Sequence, residues 1–298
     1  MPEATARTLA IPPIVGFDVV LAFALLFLTM TIIPAVMVKS IRRSKTWFSL
    51  LIFCMVYCIS FFLLLGRQSG PVPPLWLCLI NASLVDAGLP SISAAGLILM
   101  VELYFRLTST MSDADERRVT RMLWCPLVVH VVVFWVIMAF GLSDMKKIFH
   151  AIPMKYHSNT VCRFLIPAIL IFFFTINMFS LEGFTIVYLL RERNLSFLDV
   201  IRCFGSMAPV ALKLFVRCFL YTLVICGMVI IVMTHLCGLS TMHLLPFVPL
   251  SIAILFGSQA DILRVYMFWR PMPPPVPPKD WTQGLSLLTT DEDPFHSA

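Results

Sequence analysis

Charge is what this sequence has least of. Of its 298 residues only 13% are Asp, Glu, Lys or Arg, while 59% are hydrophobic and the mean hydropathy is +0.92. Soluble domains carry about 25% charged residues and about half apolar ones. A water-soluble core of this size has no use for so much apolar surface, so lipid is the main solvent. The signatures of catalysis are missing too. There is no HExxH and no GxSxG, and the histidines (His130, His150, His157, His235, His243 and His296) form no complete ligand set. His235, Cys237 and His243 in "HLCGLSTMH" come nearest to zinc spacing but lack a fourth donor. The chain is therefore read as no enzyme, with no metal and no cofactor. No lysine lies between Met242 and Leu263, which excludes a retinal Schiff base in the last apolar segment. The first three and last three apolar runs show no self-similarity of the kind that transporters built on repeats display. The net charge of +6 is spread around apolar runs rather than gathered into a basic domain, so no nucleic-acid partner is expected.

What is present is a series of long apolar runs. A transmembrane helix needs about 20 mainly apolar residues, and seven stretches qualify: about 14–38, 46–65, 76–105, 122–142, 164–190, 211–234 and 243–265. The first is too long for a signal-peptide core and has no small-residue cleavage site, so it reads as a retained helix. Pro34, Pro90, Pro126, Pro167, Pro246 and Pro249 fall within spans and predict kinks. The expected fold is an all-α integral membrane protein, a seven-transmembrane helix bundle. With the N-terminus outside, sixteen of the 22 Lys and Arg residues fall on the inner side and six on the outer. That asymmetry sets the N-terminus outside and the C-terminus in the cytosol. The domains are then a short extracellular N-terminus over 1–13, the bundle over 14–270, and a proline-rich disordered cytosolic tail over 271–298.

The stretch "FGSQADILRVYMFWRPMPPPVPP", Phe256 to Pro278, carries the most information. Asp261 and Arg264, three apart, can pair as the chain leaves lipid. Trp269 and Arg270 suit the headgroup layer, and the prolines that follow favour an extended polyproline strand. "FGSQADILRVYMFWR" closely resembles the end of the seventh helix in a family of fungal, chiefly basidiomycete, orphan seven-helix receptor-like proteins. "CLINASLVDAGLP", Cys78 to Pro90, is similar to that family's third helix, and Cys162 and Arg217 resemble family positions. A more distant likeness is to fungal mating-pheromone receptors. The resemblance implies a heterotrimeric G protein (Gα) as partner, the plasma membrane as location, and an unknown extracellular ligand.

Several residues could carry that chemistry. Cys78 at the head of the third helix and Cys162 before the fifth could bridge, as in many seven-helix receptors; free thiols are the other reading, and Cys237 is a third outer candidate. Asp86 lies two turns from Cys78, with Asn81 and Ser83 just above it. Ionisable groups inside lipid face a bundle interior or a water-filled cavity. These three are the ligand-binding candidates, the alternative being an aspartate bonded to a neighbouring helix. Glu102 and Arg106 stand at i, i+4, either as a helix-end ion pair or as a latch that opens toward a G protein. Lys213 and Arg217 repeat that spacing at the start of the sixth helix. Together with Asp261 and Arg264 these are the candidate coupling residues. Glu182 and Asn177 are five apart on the fifth helix and share no face well. "TSTMSDADERRVTR" mixes signs and reads as a solvated loop, and "RERNLSFLDVIRCFGSMAP" as a segment along the membrane. The sequence reading is a G-protein-coupled-receptor-like protein that signals from an extracellular ligand, with a small-solute transporter as its rival.

Overall fold

The computed structural model describes residues 2–38, 43–63, 74–108, 113–143, 161–192, 210–234 and 245–267. Among them nearly every residue is helical and none is in a strand. The helices are α1 (Pro2–Met37), α2 (Lys45–Phe62), α3 (Leu75–Thr108), α4 (Asp113–Met122) and α5 (Trp124–Ser143). They continue with α6 (Val161–Glu192), α7 (Val210–Thr234), α8 (Phe247–Gly257) and α9 (Ala260–Tyr266). Among the described residues five stretches are long and apolar enough to cross a bilayer: Val15–Met37, Lys45–Phe62, Trp76–Thr108, Ala114–Ser143 and Pro167–Arg191. The chain is thus a multi-pass helical membrane protein. In such a solvent every backbone polar group must be paired within the segment, which leaves the α-helix as the local solution for long apolar runs.

The exposed side of the bundle is apolar. Phe23, Phe27 and Ile33 on α1, Trp124, Val128 and Trp135 on α5, and Phe172, Phe173 and Phe184 on α6 are each more than two-fifths exposed. Polar side chains instead turn inward. Asn81, Ser83, Ser91, Ser93, Glu102, Thr175, Glu182, Thr185 and Thr222 are all buried. This inversion is what a lipid-solvated bundle requires, because a polar group facing acyl chains finds no partner.

Helix α3 is the axis of the assembly. It packs against α2, α5, α6 and α7, and 72% of its most apolar window is buried, against 22% for the stretch that holds α5. Small residues make that enclosure possible. Ala82, Ala87, Gly88, Ala94, Ala95 and Gly96 let neighbouring backbones approach. At Gly88 the Tyr57 ring lies where a Cβ would stand, and at Gly96 the Tyr221 ring does the same. Helix α8 packs on α1, α2 and α7, so the last of the described helices return to the first. Gly257 brings α8 against Thr31 of α1, and Tyr266 Oη donates to the Met30 carbonyl at 2.5 Å to fasten α9 to the same helix.

Helix α1 begins at Pro2 and so runs through the segment read as a short extracellular N-terminus over 1–13. The structure departs from the sequence reading in two places. The stretch read as a solvated loop holds α4, whose Val119 is 5% exposed while Arg117, Arg118 and Arg121 face outward. Its charges hid a single buried position that anchors a full helical turn. The last span, expected as one helix over 243–265, is divided at Ser258 and Gln259. Ser258 caps the end of α8, and Gln259, extended with φ −71° and ψ 132°, opens α9. Pro90 and Pro167, by contrast, sit inside α3 and α6 without ending them.

Candidate functional site: polar clusters along α3

Among the described residues, two polar clusters interrupt the apolar interior, each built where one helix face meets another, and further polar groups are spread singly along α3. The first lies at the Thr108 end of α3. Ser44 caps α2 by accepting the Trp47 N–H at 3.3 Å, which places Thr46 in the first turn with its hydroxyl turned inward. There it donates to Glu102 Oε2. The other oxygen of Glu102 takes two donors from one guanidinium, Arg106 Nε at 2.8 Å and Nη2 at 2.6 Å. Glu102 itself is 3% exposed, whereas the Arg106 side chain is 36% exposed. The carboxylate is therefore clamped from two helices, and its arginine has one side toward the bundle edge. The i, i+4 spacing read from sequence is realised; Thr46, 56 residues away, is the partner that spacing could not show.

At the same end, Arg217 on α7 reaches the break between α8 and α9. Its Nη2 donates to the Ser258 carbonyl at 3.2 Å. A carbonyl at a helix C-terminus has lost its intrahelical donor and carries partial negative charge, so a cation is its natural partner. Lys213, one turn earlier on α7, is half-buried, and Arg264 on α9 is exposed. The side chain of Asp261 lies outside the described residues, so the Asp261–Arg264 pairing falls there as well.

The second cluster joins α6 to α7. Thr222 Oγ1 lies 2.6 Å from Glu182 Oε1 and 3.0 Å from the Cys218 carbonyl. Glu182 is 1% exposed, and its second oxygen has no partner among the described residues. Asn177, the other polar group of that helix, bonds back to the Phe173 carbonyl at 2.7 Å and takes no part. Nearby on α7, the Tyr221 hydroxyl donates to the Ile92 carbonyl of α3 at 3.2 Å.

The remaining polar groups are spread along α3, from Asn81 near its Leu75 end to Ser93 just past its middle. Asn81 and Ser83 are buried, and Asn81 Oδ1, Ser83 Oγ, Ser93 Oγ and the Tyr57 hydroxyl lack protein partners among the described residues. Asp86 is half-buried. At 3.6 residues per turn, Ser83 and Asp86 lie within about 60° of each other, while Asn81 is roughly 140° from Asp86. The three expected ligand contacts thus divide between two faces of α3. Ser91 and His130 form a separate link to α5, Oγ to Nδ1 at 3.1 Å.

The side chain of Cys162 lies outside the described residues, and with it the pairing expected with Cys78. So do the third inner loop, the "HLCGLSTMH" loop before Leu244, and the tail from Phe268 onward. Among the described residues no group of three His, Cys, Asp or Glu side chains is placed to hold a metal ion. No family model, curated protein or solved structure matches the chain.

Proposed function

We propose that this chain is a seven-helix receptor of the plasma membrane, akin to the fungal orphan receptor-like family. In this reading α7 and the α8–α9 pair form the sixth and seventh spans, with the N-terminus outside and the C-terminus in the cytosol. An extracellular ligand binds toward the Leu75 end of α3, near Asp86. Its binding shifts the population toward a state that engages Gα at the opposite end.

The observation that carries the reading is the clamp on Glu102. One carboxylate ties α2 to α3 at the end assigned to the cytosol, and Arg217 ties α7 to the α8–α9 break at its own basic end. Both ties are a few polar contacts in an otherwise apolar contact surface, so a small change in helix position breaks them without dismantling the core. Releasing Arg106 and Arg217 would present two guanidiniums to a partner. The test is capture of a fungal Gα by the full chain from detergent-solubilised membranes, with and without GTP. GTP-sensitive capture that is lost in the Arg106→Ala/Arg217→Ala double variant, at unchanged surface expression, is the expected result. Capture by the double variant equal to that of the unmodified chain sinks the coupling role.

A transporter is the second reading, favoured by one feature: Glu182 is a buried carboxyl near mid-span with an oxygen to spare. Intramembrane acids of this kind mark ion and proton pathways in many pumps. Solute flux in proteoliposomes that disappears on Glu182→Gln would favour it over the receptor.

A further inference from the structure

The basic face of α4 is absorbed by none of the clusters above, and its register against α5 is informative. The two helices are nearly one. Leu123 N–H still donates to the Val119 carbonyl at 3.2 Å, so the helical path continues through the junction. Pro126 has no N–H to offer the Met122 carbonyl, which accounts for the lapse at Leu123. Two stripes cross the junction unbroken. Val119, Pro126, Val133 and Ile137 are buried toward the bundle, spaced at seven, seven and four residues. On the other side, Arg117, Arg121, Trp124, Val128, Val131 and Trp135 are exposed and fall within about 80° of one another. The apolar part of that exposed stripe faces acyl chains. The arginines that extend it therefore face what lies directly above the acyl chains, the headgroup layer. Arg121 and Arg117 stand about 4.5 Å and about 10 Å along the axis beyond Trp124, so with Trp124 at the inner edge of the headgroup layer Arg121 falls within that layer and Arg117 at its outer side. Arg118 flanks them, 68% exposed and 3.9 Å from Asp115, too long and too open a pair to occupy its guanidinium fully.

We infer that Arg117, Arg118 and Arg121 form a binding site for the headgroup of an anionic phospholipid in the leaflet adjoining α4. Guanidinium groups bind phosphate oxygens bidentately, and a basic cluster beside a transmembrane helix is attracted to acidic lipid. The site holds such a lipid against the exposed α5 face, with the Trp124 ring at the level of its glycerol backbone. The inference rests on the membrane bundle and not on the receptor reading, and it is independent of which leaflet is cytosolic.

The full chain, reconstituted in nanodiscs of phosphatidylcholine with one-tenth phosphatidylinositol 4,5-bisphosphate, tests it. The readout is lipid retained on the protein after transfer to detergent, counted by native mass spectrometry. The Arg117→Gln/Arg118→Gln/Arg121→Gln variant should lose retention on the order of a hundredfold, about fivefold per arginine. Arg264→Gln should leave it unchanged, and thermal stability in pure phosphatidylcholine should be the same for all three chains. Retention by the triple variant equal to that of the unmodified chain overturns the inference. So does a triple variant that keeps the lipid but fails to capture Gα, which would assign these arginines to a protein partner instead.

Discussion

Replacing Gly96 with alanine puts one of the closest helix contacts among the described residues to a quantitative test. The added Cβ would lie 2.5 Å from Tyr221 Cε1, 3.0 Å from its hydroxyl oxygen and 3.1 Å from Cζ. The ring has little room to withdraw, being 1% exposed and held by its hydroxyl to the Ile92 carbonyl. Overpacking a filled core costs about 1–3 kcal/mol, and an interhelical hydrogen bond in a membrane adds about 0.6 kcal/mol when lost. Alanine's higher helix propensity returns up to about 1 kcal/mol within α3, so the expected net loss for Gly96→Ala is about 1–3 kcal/mol. Unfolding of the purified chain by SDS in mixed micelles would measure it. Labelling of the buried Cys54, Cys58 and Cys218 with a thiol-reactive dye reports the transition, since all three are shielded in the folded bundle. Gly183→Ala serves as the control, because no atom lies within 4 Å of the Cβ it would gain. There the higher helix propensity of alanine leaves stability unchanged or raised by up to about 1 kcal/mol. In a Tyr221→Leu background the cost of Gly96→Ala should fall below about 0.5 kcal/mol. An equal cost in both backgrounds would falsify the steric account, since contact between the two residues requires their effects to be non-additive.

Three further outcomes follow from named contacts. Thr46→Val removes the hydroxyl donor to Glu102 while keeping shape, and should cost about 1–2 kcal/mol in the same unfolding assay; an unchanged midpoint would mean that α2 contributes nothing to the clamp. Thr222→Val strips Glu182 of its hydrogen-bond partner and should cost about 1–3 kcal/mol, whereas Thr222→Ser should recover most of it. If serine is as damaging as valine, the methyl packing and not the hydroxyl matters there. Tyr266→Phe deletes the bond to the Met30 carbonyl and should speed amide exchange across Ala260–Tyr266 several-fold with little effect on α3; unchanged exchange would show that α9 is held by packing alone.

The elements that lipid dictates were legible in the sequence, and those that helix-to-helix placement dictates were not. Four of the five long apolar stretches agree with the expected spans to within a few residues, because an apolar run of that length has one stable form in a bilayer, while the fourth begins at Ala114, eight residues ahead of the expected start, where α4 runs into α5. The Glu102–Arg106 pair was visible for a similar reason: its geometry follows from helical spacing alone. Thr46 and Thr222 were invisible, since a threonine on one helix gains meaning only when another helix presents it with an acid. Nothing in the sequence sets Gly88 and Gly96 apart, because their role depends on the Tyr57 and Tyr221 rings that fill the space beside them. Helix α4 was obscured by its own composition. Seven of its ten residues are charged or polar, and Val119 alone among the described side chains shows which way it turns. The division at Ser258–Gln259 left no mark either, for neither residue is a helix breaker, and the carbonyl freed there is answered by Arg217 from 41 residues away.

The contrast between an enclosed α3 and an open α5 also governs how this sequence can change over generations. A substitution at Gly88, Gly96, Ser91 or Glu102 is felt at once by a second helix, through Tyr57, Tyr221, His130 or Thr46. A substitution at Val128, Val131 or Trp135 is felt only by acyl chains, which accept any apolar side chain of similar size. Mutational drift should therefore accumulate on the outer stripe of α5 and stall along α3. The chain can re-clothe its lipid-facing skin for a thicker or more fluid membrane while the axis on which its helices pack is passed on intact.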